Sequence, residues 1–222
     1  QLAQMGTAQV AALATTQLAT MTPEQLNNLS TAQFAHLSAG QIASLTIEQM
    51  ANLAGDHLAA LTTAQIVALR TAQVAALTGD TLTSLTTAQA AALSSAQARA
   101  LDVTALSSME TADLAALNTG AVAVLRDAQI DALSGDQLAA LNSAQIRALS
   151  TTQMARLDAD DVAALTSAQF AAMTTSQVAS LSQVQFAALA SEDLAAMGTA
   201  QLAALSPSNI ASLSAEAVTG FT

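Results

Sequence analysis

His36 and His57 are the only imidazoles in a chain of 222 residues that contains no cysteine, so any metal chemistry has to start from them and from nearby carboxylates. A zinc site needs three or four nitrogen, sulfur or carboxylate ligands converging on one point. The two histidines instead occupy different slots of the repeat described below, and each reads as an ordinary substitution in a polar position. Oxygen ligands for Ca²⁺ could come from the "GD" pairs that carry Asp56, Asp80 and Asp136, or from "DADD" with Asp158, Asp160 and Asp161. Neither spacing matches an EF-hand or a glycine-rich calcium repeat. Serines are abundant, yet a nucleophile needs a base and a group to orient that base, which the surroundings do not offer. No glycine-rich phosphate loop is present. The expectation is therefore no catalytic, cofactor-binding or metal-ligating residue, and no enzyme.

The regularity that positions every residue is stronger than any site. Counting in steps of eight from Met5 reaches Leu13, Met21, Leu29 and onward without a slip to Leu213 and Phe221, giving 27 octads over residues 5–220. Position 1 is Leu in 22 octads and Met in the other five, and position 6 is a large aliphatic, Met or Phe in all but two, Ala90 and Ala98. Position 5 is Gln in 18 octads, and position 2 is Ser, Thr, Asp, Asn or Gly in 21. All seven methionines fall at positions 1 and 6, which marks them as core rather than as ligands. A strict period without insertion is the mark of a repeat architecture.

Eight residues cannot be two turns of one continuous helix. At about 100° per residue the position-1 side chain would rotate by about 80° per octad, and the apolar residues would wind around the whole cylinder. The chain has to bend once per repeat, and the octad contains the means. Ser or Thr at position 2 with Gln at position 5 is a capping box, and Leu at position 1 with the aliphatic at position 6 has the spacing of a hydrophobic staple. Pro23 and Pro207 both fall at position 3, the first helical residue after the cap, where proline is tolerated. The predicted fold is all-α: a solenoid of very short helices, one per repeat, in a single domain spanning 1–222. Positions 1 and 6 are expected to point at its axis, and position 5 is not.

Charge suggests the number of repeats per turn. Acidic residues form eight clusters between octads 3 and 27, seven intervals across 24 octads or about 3.4 octads each. If charge marks the solvent face, one turn takes about 27 residues and the charges line up as one stripe. The remaining exterior of Thr, Ser, Ala and Gln is then expected to pack against identical copies or the rest of a larger chain. About eight turns spaced by about 8 to 10 Å give an expected rod of some 65 to 80 Å. Leu2 and Phe221 keep the apolar phase to the edges, so the segment is expected to be part of a longer array.

Composition limits partners. The net charge of −11, with five arginines and no lysine, argues against phosphate backbones and against anionic membrane surfaces. Ser, Thr or Gln interrupts every apolar stretch before it reaches the about 18 to 20 residues of a membrane span, so no membrane insertion is expected.

The consensus L-[ST]-x-A-Q-[VIL]-A-A, seen almost twice over in "LTTAQIVALRTAQVAAL" at 61–77, resembles the tandem "LTTAQ" octad tracts of very large exported, adhesin-like or haemagglutinin-like proteins of Gram-negative bacteria. The likeness covers all 27 octads. It implies a structural repeat module at the cell surface or outside the cell, a location with which the absence of cysteine is compatible. The alternative function is a ligand-binding solenoid, such as an ice-binding or adhesive surface built on the Thr and Ala rows.

Overall fold

A computed structural model describes residues 4–213 and Ala217. Leu2, Phe221 and Glu216, on which the expectations about chain ends and the last charge cluster rest, lie outside the described residues. The chain divides into two compact units, Gln1–Val124 and Leu125–Thr222.

Each unit consists of helices of four to six residues, one in each octad, and no strand occurs among the described residues. In the first unit the helix contacts link every third helix. One column runs α1 (Thr7–Ala11), α4 (Thr31–Ala35), α7 (Gly55–Ala60), α10 (Gly79–Leu82) and α13 (Val103–Ser107). A second runs α2 (Thr15–Ala19), α5 (Ala39–Ser44), α8 (Thr63–Ala68), α11 (Thr87–Ala92) and α14 (Thr111–Ala116). The third is α3 (Pro23–Asn27), α6 (Ile47–Ala51), α9 (Thr71–Ala75), α12 (Ser95–Ala100) and α15 (Thr119–Ala123). The second unit repeats the scheme. Its columns are α16 (Asp127–Ile130), α19 (Thr151–Arg156), α22 (Thr175–Ser180) and α25 (Thr199–Ala203); α17 (Gly135–Ala140), α20 (Ala159–Ala164), α23 (Gln183–Ala187) and α26 (Pro207–Ser212); and α18 (Ser143–Ala148), α21 (Ser167–Ala172) and α24 (Ser191–Ala196).

The corners between helices are made by positions 1 and 2, both extended. Leu93 has φ −62°, ψ 128° and Ser94 has φ −71°, ψ 159°, values any L-residue adopts. No described residue has a positive φ, so the bend needs no glycine. What fixes it is the staple. Every position-1 side chain from Leu29 to Met197 and every position-6 side chain from Val10 to Leu194 is buried. Leu93 is 3% exposed and Ala98, its staple partner, 0%.

Helices this short cannot persist alone. Their stability has to come from the next layer, as in other solenoids. Layer-to-layer hydrogen bonds reach 25 to 31 residues along the chain because they join different positions of the octad; the stacking of every third helix itself sets a layer at three octads, fewer than the about 3.4 expected from the charge spacing. The most regular of these bonds, from position 5 to position 1, spans 28 residues or 3.5 octads.

The single charged stripe is not what the columns give. In the first unit the octads of α2, α5, α8 and α11 contain no charged residue, and charge sits on the other two columns and on α14. In the second unit all three columns carry it: Asp127, Asp131 and Arg156; Asp136, Asp158, Asp160 and Asp161; Arg147, Glu192 and Asp193. Cluster spacing along the sequence averages over positions 2 to 7 of the octad, and those positions do not face one direction.

Candidate functional site

From Gln33 to Gln201 the position-5 glutamines are buried, contrary to the outward orientation expected of them, while Gln9, Gln17 and Gln25 are exposed. Gln73 and Gln145 are 0% exposed, and Gln97 and Gln177 are 2% exposed. The cause is that one side chain completes two helices. In α12 the Oε1 of Gln97 accepts from the backbone N–H of Ser94 at 2.9 Å, while the Ser94 hydroxyl accepts from the Gln97 N–H at 3.3 Å. That is the reciprocal cap read from the sequence, and it serves two of the N–H groups a helix start leaves unpaired. The Nε2 of the same residue then donates to the carbonyls of Ile66 and Leu69, both at 2.8 Å. These lie in the last turn of α8 and the corner that follows it; the Ile66 carbonyl also accepts from the Leu69 N–H at 3.2 Å, and the Leu69 carbonyl lies past the helix end, where helical partners run out.

The arrangement repeats as a ladder. Nε2 of Gln49 donates to Leu18 and Met21, of Gln89 to Leu58 and Leu61, of Gln169 to Leu138 and Leu141, and of Gln177 to Ile146 and Leu149. Where position 5 is not Gln, the rung survives if the side chain can donate. Thr81 donates to Leu53 at 3.0 Å and Asn209 to Leu181 at 3.3 Å. Where the cap residue has no hydroxyl, as at Ala14, Arg70 and Gly198, the Gln oxygen still holds the cap N–H.

His57 belongs to this ladder. It stands at position 5 of α7, 3% exposed, with Nε2 2.7 Å from the carbonyl of Leu29 and its ring edge-on to Phe34 at 4.8 Å between centroids. An imidazole cannot also reach back to the cap. The Ala54 N–H is instead taken by Oδ1 of Asn27 from the layer below, at 3.1 Å, while Nδ2 of Asn27 donates to the carbonyl of Asn52. Nδ1 of His57 lies 3.2 Å from Oδ1 of Asp56. His36 lies on the surface, with Nδ1 2.7 Å from the carbonyl of Ala32.

The carboxylates find ordinary employment. Asp158 and Asp161 form a cap of their own: Asp158 Oδ1 accepts from the Asp161 N–H at 2.8 Å and Asp161 Oδ2 from the Asp158 N–H at 3.1 Å. Asp56, Asp80, Asp136 and Asp160 are exposed. Among the described residues no three His, Asp or Glu side chains converge on one point. Arg156 grips Asp131 with Nε and Nη2, 25 residues away in the adjacent layer of its column. Asp113 and Asp193 are buried at position 5, where a carboxylate cannot donate to the carbonyl below. Burial pushes both carboxyls above the usual carboxylate range; Glu110 adds to the rise at Asp113, whereas the hydroxyl of Ser167, 3.0 Å away, holds Asp193 back.

Within each unit the ladder ties octads with a donor at position 5 to consensus positions in the layer before it, and the family comparison rests on the same consensus. The model of the ALTTAQ repeat matches residues 50–87, 106–143, 136–167, 154–191 and 186–222. The chain belongs to the ALTTAQ repeat family. A comparison with curated proteins gives no match. The family unit, with Ala-Leu-Thr-Thr-Ala-Gln as its core, runs across one corner and the next cap, so its hexad contains the staple leucine, the cap hydroxyl and the two-ended glutamine. No helix among the described residues is long and apolar enough to cross a membrane.

Proposed function

We propose that the chain is a structural module of a large bacterial surface or extracellular protein, in which the octads form a stiff rod or filament that spaces, displays or polymerises and that packs laterally with itself or with its parent chain. The observation that carries this reading is the two-ended glutamine. Its amide turns backbone groups that water would otherwise satisfy into a buried seam between layers, at many successive levels, and no three His, Asp or Glu side chains converge among the described residues. Such a seam supports length and stiffness rather than chemistry. Low charge on the octads of α2, α5, α8 and α11 supports lateral contact, because close packing there desolvates no ion. The likeness to exported octad tracts supports the location.

Small-angle scattering of the purified chain tests the rod directly. An elongated particle of some 65 to 80 Å, from layers about 8 to 10 Å apart, is the expected result. A compact globule overturns the reading. Antibodies against the repeat should label intact cells of the source organism, and labelling only after lysis overturns the location.

A further inference from the structure

The third column of the first unit carries its charges in an order that fits a second copy of itself. From the first layer upward it holds Glu24 on α3, Glu48 on α6, Arg70 at the cap of α9 and Arg99 on α12, all exposed. Two acids are followed by two bases, evenly distributed about a point between α6 and α9. We propose that this face is a self-docking surface, on which two copies meet antiparallel about a two-fold axis lying between α6 and α9. The inference rests on the lateral packing proposed above and adds to the uncharged column of α2, α5, α8 and α11 a second, charged face with a defined orientation.

The two-fold operation places α6 opposite α9 of the second copy and α3 opposite α12. Glu48 then faces Arg70 of the other chain and Glu24 faces Arg99, and each pairing occurs twice, as in any interface built from one patch on both partners. The parallel alternative sets Glu against Glu and Arg against Arg, which costs affinity. Positions 4 and 7 of an octad lie on one side of a helix three residues apart, and position 2 is the corner beside them. A six-residue helix is about 9 Å long, so an arginine side chain covers the remaining offset. Each guanidinium is anchored by one bond to its own chain, Arg70 Nη2 to Leu45 and Arg99 Nη1 to Val124. Five N–H donors per guanidinium leave the rest of each fork available to a carboxylate.

Two further features of this column point to a partner. Ile47, beside Glu48 on α6, is 45% exposed, one of the few large apolar side chains left in solvent. It lies next to the proposed axis, where the centre of an interface would be buried. A groove between α3 and α6, walled by Pro23, Glu24, Ile47 and Glu48, faces the step from α9 to α12 of the second copy, which brings Arg70 and Arg99 to its rim.

Charge swaps test the pairing with the full chain in sedimentation equilibrium at one low ionic strength, with far-ultraviolet circular dichroism as a check on folding. Glu48→Arg should weaken self-association at least about tenfold by placing like charges opposite one another. Glu48→Arg with Arg70→Glu restores opposite signs across the axis and should return the association constant to within about threefold of the parent chain. Glu24→Arg with and without Arg99→Glu repeats the test at the outer pair and does not disturb the Arg70–Leu45 bond. Association that neither single reversal alters overturns this face and leaves lateral packing standing. Single reversals that weaken association without rescue by either swap overturn the antiparallel pairing. A parent chain that stays monomeric at every concentration overturns both readings.

Discussion

The Nε2 of Gln97 donates to the carbonyl of Leu69, 28 residues earlier and one layer below, at 2.8 Å, while its Oε1 accepts from the N–H of Ser94 in its own helix. One amide thereby closes the start of one helix and the end of another. Gln97→Ala should cost about 2 to 4 kcal/mol, because it strands the buried carbonyl of Leu69, takes one of two donors from that of Ile66 and removes half a cap. Gln25→Ala is the control. That side chain is exposed and caps Thr22 at 2.9 Å, so the loss should be about 1 kcal/mol or less. Urea titrations of the two variants measure the difference.

Truncation of the staple should be as damaging as loss of a rung. Leu93→Ala removes a side chain 3% exposed at a corner, and large-to-small changes of buried leucines cost on the order of 2 to 5 kcal/mol. A loss below about 1 kcal/mol in the same titration would place position 1 outside the core.

The caps and the staple were legible in the sequence, because both are local: Thr62 and Gln65 lie three residues apart, Leu61 and Ile66 five. The other end of the glutamine was not. Its acceptors are backbone carbonyls, which every residue possesses, so Leu69 or Ile66 carries no mark that Gln97 will bind it. One signal was available. A capping box accepts Glu as readily as Gln, yet no octad has Glu at position 5. The slot takes Gln in 18 octads and His, Thr or Asn in three more, against Asp in three and Ala in three, a bias toward side chains that can donate. The charge columns were hidden for a related reason: octad number alone does not tell which way positions 2, 4 and 7 face.

Asp193 gives a pH dependence opposite to the usual one for a carboxylate. Burial raises its folded-state pKa above the ordinary value, so the folded chain binds more protons than the unfolded one from the usual Asp range, near 3.9, up to the raised value. Stability contributed by this group is greatest at the acid side of that window and falls as pH rises through it. Asp193→Gln should remove this slope and should raise stability at neutral pH by about 1 to 2 kcal/mol, since Gln can donate to Leu165, 28 residues earlier. Denaturation midpoints between pH 3.5 and 8 for both chains check the sign. A parent chain whose midpoint rises steadily across this range, with the variant parallel to it, overturns the assignment.

Glycine replacement should change sign with position. Gly40 lies in α5 with nothing nearer to an added Cβ than Ser38 Oγ at 4.0 Å, and Gly40→Ala should stabilise by about 0.5 to 1 kcal/mol through helix propensity. At Gly135 an added Cβ would come within 2.9 Å of the Ala164 methyl, 29 residues later in the next layer. Gly135→Ala should therefore destabilise despite the same propensity gain. Thermal melts of the two variants shifted in the same direction would remove the layer contact as the cause.

A ladder whose rungs join position 5 to position 1 of an earlier octad has a consequence for how such a chain can change over generations. Removing or duplicating a whole octad leaves each glutamine of the ladder facing a position-1 carbonyl 28 residues back, because the phase within eight is untouched. Only the outward side chains exchange columns. Adding or losing a single residue breaks that phase for every layer bridging the lesion. Length is thus a freely variable trait of this architecture and reading phase an almost invariant one, so the repeat number can drift by copying slippage while the seam between layers is inherited intact.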